Sequence, residues 1–548
     1  VLSIIGFIVV LIPLVVVHEF GHFFFAKLFN VRADAFSIGF GPVLFKKQFG
    51  ETEFRVSAIP LGGYVKLLGE DPTTELTPEE KKRALHFQTP WKRFFIFFGG
   101  PLFNFIWATV VFMAMMAIGE PQISTVIGRV LPNTSAATAG LIPGDKITSL
   151  DGEAVDKYED FMTKLTNKPS QDVKLGVTRA GAPITLTAHT DAEEGFTVYG
   201  EKKLVGTIDG IIPNARMTKV GISDPASLAA KAGFATGDEI VSVNGQKVKT
   251  FEELEALYAS WAGKHDPAIK NPVTFEVKSA SAGGEQTRPI TLAPHYSGNL
   301  GADFGIFSSE LFIEQAMKDT PASAAGLTKG DQLVAVSGTP IRSFFELRQN
   351  IQKAGEATGK LTITVVRAGK TVTYEMVPQV STERDPLLKK MKQFTIGVMP
   401  VPSMLEPTMV IEQTWNPFTL VYKGTAKMLD LSARNLISIG KMIQGQVSVK
   451  SLGGPILIGK LAGDSLSRGL LDFLKMMGIL SIGLGVLNIL PIPVLDGGHI
   501  VFLAIETLRG KALSLKQIEM AQQVGLVLIL LIMGVVMKND ISRLPIFN

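Results

Sequence analysis

Apolar residues are unevenly spread along the 548-residue chain, and they gather at its two ends. Residues 1–25 form an almost unbroken apolar run, long enough to cross about 30 Å of hydrocarbon as a helix. Three further runs have the same character: Phe94 to Ile118, Leu470 to Leu495 and Met520 to Met537. The pattern predicts four membrane spans. In the third, Pro491 and Pro493 break the helix inside or just below the membrane, so the backbone freed there must be covered by protein.

Between the first two runs, residues 30–93 are polar. Two strand-like stretches, 42–48 and 53–59, flank Gly50 and suggest a hairpin. Periodicity alone favours an ordinary loop here, although an unshielded edge strand would be open to adding another extended chain. Residues 408–469 are mildly apolar and broken by glycine, with Gly453-Gly454-Pro455 as the main breaker. They read as amphipathic helices lying on the membrane or on the domains before them, or equally as a plain linker helix.

The long middle segment alternates in a different way, because it repeats. The pattern Gly140…Gly144-Asp145…Gly152 recurs as Gly233…Gly237-Asp238…Gly245 and as Gly326…Gly330-Asp331…Gly338. The offsets are identical and about one small domain apart. Each copy follows a run of small residues, precedes a helix-like stretch and ends in β-rich sequence. Gly210-Ile211-Ile212, Gly305-Ile306-Phe307 and Gly397-Val398-Met399 recur at the unit boundaries, as peptide-facing loops or as plain turns.

Composition agrees with spans mixed with soluble domains: 46% hydrophobic, 19% charged, mean hydropathy +0.26. A net charge of +4 is too small to argue for nucleic acid as a partner. There is no cysteine, which excludes disulfides and thiolate metal sites and leaves His, Asp and Glu as ligands. The first apolar run carries no small-residue cleavage site, so it reads as a span and not as a removable leader. Lys46, Lys47, Lys81, Lys82, Arg83, Lys92 and Arg93 make the first polar loop basic, and Arg509, Lys511 and Lys516 the last. Short basic loops stay in the cytoplasm, which puts both chain ends and the repeats outside.

Chemistry enters at His18-Glu19-x-x-His22, at the far end of the first span. Ionisable groups in hydrocarbon are costly and usually face a protein interior with a function. On a helix, positions i and i+4 share a face, so His18 and His22 can grip one zinc ion with Glu19 beside them. A catalytic zinc commonly takes three protein ligands. Asp496 ends the third span at the same depth and supplies the missing oxygen; His499 competes for that role at lower rank. Gly99-Gly100-Pro101 and Asn104 in the second span permit close helix contact.

The paired motifs, His18-Glu19-x-x-His22 and Asn488…Pro491-x-Pro493-x-Leu495-Asp496-Gly497, with the repeats between, resemble the site-2 protease family in its bacterial PDZ-bearing branch. The repeats themselves resemble bacterial PDZ domains. The resemblance implies a polytopic α-helical membrane protein of four transmembrane helices, with a membrane-associated β-hairpin and three inserted PDZ-like α+β domains. That branch typically carries two such domains. The expected layout is 1–120 (first two spans and hairpin), 121–213, 214–305 and 306–402 (PDZ-like), 403–469 (amphipathic helices) and 470–548 (last two spans).

By resemblance, His18, His22 and Asp496 hold Zn2+, Glu19 is the general base and Asn488 binds substrate backbone. Gly39, Gly41, Pro491 and Pro493 line the substrate. The implied activity is zinc endoproteolysis of membrane-spanning segments of single-span proteins, such as anti-sigma factors or signal-peptide remnants, at the bacterial inner membrane. The PDZ-like units would bind C-terminal peptides or act as a size filter. A PDZ scaffold with a non-catalytic metal site, or a zinc-handling membrane protein, are the rival readings; the intact general base argues against the first, and little polarity in spans two and four against the second.

Overall fold

The computed structural model describes residues 2–70, 75–197, 199–264, 272–281, 284–293, 297–341, 343–384, 390–449, 452–511 and 513–542. The chain divides into two compact units. One comprises residues 1–121, 196–203 and 411–548, the other 122–195 and 204–410.

The first unit contains α1 (Leu2–Leu28), the strands β1 (Ala33–Phe49) and β2 (Thr52–Leu67), and α2 (Pro90–Ile118). The chain returns to it with α3 (Pro417–Ile443), α4 (Pro455–Arg468), α5 (Leu470–Ile489), α6 (Asp496–Arg509) and α7 (Leu515–Ser542). Among the described residues four helices, α1, α2, α5 and α7, are long and apolar enough to cross a membrane. They are the four expected from the pattern.

Lipid offers helices no hydrophobic reason to associate, so close packing must come from small residues. Gly21 on α1 meets Gly99 on α2 so closely that a Cβ on Gly21 would lie 2.1 Å from the Gly99 carbonyl oxygen. Gly6 does the same against Gly463 of α4, at 2.7 Å from its nitrogen. Gly459, Ala462, Gly463 and Ser465 are the buried face of α4, so this helix packs by small residues and not by a broad apolar stripe. Along α1 between these contacts, Val10 and Leu14 join Phe112, Met115, Phe473 and Ile482 in one core. Arg93 on α2 makes two hydrogen bonds to Glu506 on α6, at 3.0 and 3.1 Å.

β1 and β2 are longer than the sequence suggested, and each doubles back. Residues 35–38 lie opposite both 53–56 and 63–66, while 43–49 lie opposite 52–57. Four extended runs therefore stand side by side, in the order 43–49, 52–57, 35–38 and 63–67. The bend of β1 falls at Gly39 and Gly41, with φ of +89° and +83°, a region that glycine enters without strain, and that of β2 lies between 57 and 63. Such bends leave no mark in period-2 alternation, which is why only the tip at Gly50 was legible. Glu51 at that tip is tied to Lys27 and Arg83, at 2.6 and 2.7 Å.

The second unit is built three times on one plan. Each repeat has a four-stranded antiparallel sheet of the same order: 153–154, 146–150, 172–179, 182–189 in the first; 246–247, 239–243, 273–281, 284–292 in the second; 339–340, 332–336, 361–367, 370–376 in the third. One helix follows the second strand each time: Tyr158–Thr166, Phe251–Ala262 and Phe344–Thr358. The recurring Gly-Asp has a direct cause. Asp145, Asp238 and Asp331 accept the backbone N–H three residues earlier, at 3.0, 3.0 and 2.9 Å. Asp145 and Asp331 also receive two-pronged pairs from Arg179 and Arg367. The preceding glycines take φ of +88°, +99° and +90°.

The boundary triplets are short strands that close each repeat on its own start. Ile211–Ile212 pairs with Arg129–Val130, Phe307–Ser308 with Val220–Gly221, and Val398–Pro400 with Ile313–Ala316. The second repeat thus runs to Ser308, past the division expected at residue 305. Each boundary glycine packs against the residue that opens the short helix of its repeat: Gly210 on Thr134, Gly305 on Ser227, Gly397 on Thr320.

The repeats share one buried ion pair. Arg129, 5% exposed, reaches Glu310, 3% exposed, at 2.5 Å. Glu310 also accepts the N–H of Phe344 at 2.8 Å, at the start of the third repeat's helix. Removing one member of a buried pair strands the other. Arg129→Met should destabilise this unit by about 3–5 kcal/mol, read as a lowered denaturation midpoint of the purified protein; an unchanged midpoint would contradict the role.

Candidate metal centre

α1 presents His18 and His22 one turn apart, and α2 lies against that face because residues 99 and 100 are glycine. A Cβ on Gly100 would sit 2.4 Å from His22 Nε2 and 2.8 Å from His18 Nε2, so the missing side chain is the space the two imidazoles occupy. Their Nε2 atoms are 3.3 Å apart.

The third donor arrives from the other end of the chain. α5 ends at Ile489, and the backbone then turns through Leu490-Pro491-Ile492-Pro493-Val494-Leu495 before α6 begins at Asp496. Pro491 and Pro493 cannot continue the helix. Glycines accept the turn. A Cβ on Gly497 would strike Ile489 and Leu490, one on Gly498 would strike Ile492, and one on Gly525 of α7 would lie 2.0 Å from the Pro493 carbonyl oxygen. Val494, a β-branched residue, is held at φ +97°, a strained conformation two residues before the carboxylate.

Asp496 lies 3.2 Å from His18 Nε2 through Oδ2 and 3.5 Å from His22 Nε2 through Oδ1. One ligand atom from each of the three residues lies within 4.8 Å of the others. Among the described residues this is the group of His, Asp and Glu side chains that could hold a metal ion. Asp496 Oδ2 is buried and has no hydrogen-bond partner among the described residues. Two nitrogens and an unsatisfied carboxylate oxygen, converging in an apolar setting, fit zinc in chemistry and number.

The outer nitrogens are also placed. His22 Nδ1 is 2.7 Å from the carbonyl oxygen of Ile96, and His18 Nδ1 is 3.0 Å from the side-chain amide of Asn104. Such partners orient metal-binding imidazoles. Asn104 was read from the sequence only as a small polar contact between helices; the rule that flags ionisable groups inside a span, applied to an amide, would have found it.

Glu19 points elsewhere. One residue on from His18, it is turned about 100° around the helix, half-buried, with no hydrogen-bond partner among the described residues. Its Cγ lies 3.0 Å from where a Gly63 Cβ would be, so it sits beside the outermost run of the small sheet. His499 is not in the cluster; its ring stacks on Phe97 at 5.0 Å. Asn488, in the last turn of α5, is half-buried, with no hydrogen bond to its side chain among the described residues. Gly39 and Gly41 lie at the bend of β1.

Two imidazoles on a membrane-length helix, met by a carboxylate from the far end of the chain and with Glu19 next to the first imidazole, are the arrangement of an intramembrane metallopeptidase. Comparison with known proteins agrees: the model of peptidase family M50 matches residues 6–532, and the chain belongs to that family of site-2 proteases. It is a zinc metalloprotease by family and by relatives. The regulator of sigma-E protease RseP of Salmonella typhimurium is 28% identical over 542 residues, covering 98% of each chain. The protein of the same name from Escherichia coli K12 is 27% identical over 542 residues, again covering 98% of each. A Neisseria meningitidis protein, named provisionally as a zinc metalloprotease, is 29% identical over 545 residues, covering 99% of each. A solved PDZ domain protein from Parabacteroides distasonis matches 48% of this chain and 98% of its own at 8% identity, with a TM-score of 0.13, too low to carry an argument.

Because Gly100 is the floor of the cluster, Gly100→Ala should push the imidazoles apart. The purified variant should lose bound zinc at least tenfold against a chelator while keeping its helical circular dichroism; full zinc retention would contradict the packing argument.

Proposed function

We propose that the protein cleaves peptide bonds within or next to the membrane-spanning segments of single-span proteins, using zinc held by His18, His22 and Asp496. The observation that carries the reading is the convergence of those three side chains, from the two ends of the chain, against membrane-length helices with Glu19 alongside. Held by these three residues, zinc would supply Lewis-acid chemistry, polarising a carbonyl and lowering the pKa of a water. Glu19 takes the proton of the attacking water and delivers it to the leaving amine.

A transmembrane helix hides its carbonyls in its own hydrogen bonds, so a substrate must unwind before attack. The run 63–67 offsets that cost. It is paired on one side with 33–38, and Gly63 lies beside Glu19. An extended substrate segment added to the free edge passes the base. Asn488, with its amide unspent, holds the unwound backbone. Gly39 and Gly41 shape the neighbouring bend, and Pro491 and Pro493 form the irregular wall that carries Asp496.

The basic loops support an orientation with the active site near the cytoplasmic face of a bacterial inner membrane and the repeats in the periplasm. The shared strand order and Gly-Asp turns support three PDZ domains. Acting as a filter, they exclude substrates whose outer domains are intact. Anti-sigma factors and signal-peptide remnants are the substrate types that suit this arrangement.

Two measurements test the reading. Glu19→Gln should keep its zinc and lower cleavage of a purified single-span substrate by about 10²–10⁴-fold; undiminished cleavage would remove Glu19 from the role. Deleting residues 121–402 should admit substrates with intact outer domains. Loss of all cleavage, in a deletion variant that still binds zinc, would favour docking of trimmed C-termini instead.

A further inference from the structure

Asn104 is an asparagine with no solvent exposure, in the middle of a helix long enough to span a membrane. It lies four residues after Gly100, so the two share the face of α2 that meets His18 and His22. Its backbone is fixed from a third helix: Ser481 Oγ on α5 donates to the Asn104 carbonyl oxygen at 2.8 Å. A buried amide in hydrocarbon is retained only where its polar atoms are used. One of them, Oδ1, is buried with no partner among the described residues, while Nδ2 lies 3.0 Å from His18 Nδ1.

The two imidazoles differ in what faces their outer nitrogen. His22 Nδ1 meets a backbone carbonyl, which can only accept. That nitrogen must carry the proton, and Nε2 presents its lone pair to the cluster. His18 Nδ1 meets an amide, which can donate through nitrogen or accept through oxygen. If the amide donates, the His18 proton sits on Nε2, aimed at Asp496, and the ring cannot bind an ion there. If Oδ1 accepts, Nδ1 carries the proton and Nε2 is free to coordinate. A half-turn of the amide about χ2 exchanges the two without moving the helix.

We infer that Asn104 is a positioning residue for the metal centre, whose side-chain oxygen accepts from His18 Nδ1–H and so fixes the tautomer that turns Nε2 to the ion. The inference rests on the zinc reading above. It assigns α2, which contributes no ligand, a second task besides leaving space at Gly100.

The test uses the purified full-length chain and zinc alone. Asn104→Asp keeps an acceptor and removes the donor; Asn104→Leu removes both at similar volume. Zinc affinity, measured by chelator competition, should fall about 10–100-fold in the leucine variant and stay within a few-fold of wild type in the aspartate variant. Wild-type affinity in the leucine variant overturns the inference, as does an aspartate variant as weak as leucine. A measurement free of variants runs beside it. In ¹⁵N-histidine-labelled, zinc-loaded wild type, His18 Nδ1 should resonate as a protonated ring nitrogen; a lone-pair resonance there overturns the assignment. Zinc missing from the wild-type protein would overturn both this inference and the zinc reading, whereas zinc held equally by wild type and the leucine variant overturns this one alone.

Discussion

The site depends on how closely two helices can approach in lipid. α1 and α2 touch backbone to backbone at Gly21 and Gly99, with Gly100 one step further along. Lipid tails are as apolar as leucine, so this contact is not driven by water. It is driven by packing, and packing at this range is possible only without side chains. Two imidazoles and an aspartate then find each other in a volume that any larger residue at 100 would fill. The same closeness brings Asn104 and the Ile96 carbonyl to the outer ring nitrogens. The meeting of the three donors and helix packing are one constraint here.

The second half of the site solves a different problem. Asp496 must reach the cluster from a chain segment nearly 500 residues away, at a depth where unpaired backbone is costly. A continuous helix would present one residue per turn and no more. Ending α5 at Ile489 and restarting at Asp496 puts the carboxylate at the first turn of a helix, where the dipole favours a negative charge. The turn between is covered by glycines at 497, 498 and 525, and it holds Val494 in a strained conformation. Strain next to a carboxylate that must point inward is consistent with a site whose geometry is imposed by the fold.

Much of this was legible, unevenly. The spans follow from length and hydropathy, and the repeats from identical spacing. His18, His22 and Asp496 share a depth that could be read along the chain. What could not be read is what depends on an absent side chain or a sharp bend. Gly100 looked like any small residue in a span, although it is the floor of the cluster. The four runs of the small sheet hide behind bends, one at Gly39 and Gly41 and one between 57 and 63, that no alternation encodes. The second repeat's closing strand at Phe307–Ser308 fell past the expected boundary because a short helix, Leu300–Phe304, capped by Gly305, precedes it. Asn104 was visible as a polar residue in a greasy run; only the structure gives it a partner.

Glu19 ties the two halves of the argument together. Next to His18 but outside the three-donor cluster, it is turned toward Gly63. Position i+4 from His18 is taken by His22, so the carboxylate one residue on stays outside the cluster. At one residue it occupies the seam between the cluster and the edge of the sheet. An extended chain laid on that edge has its carbonyls alternating toward and away from the sheet, every second residue. Under the proposed reading, register along 63–67 would then set which bond of such a chain faces Glu19.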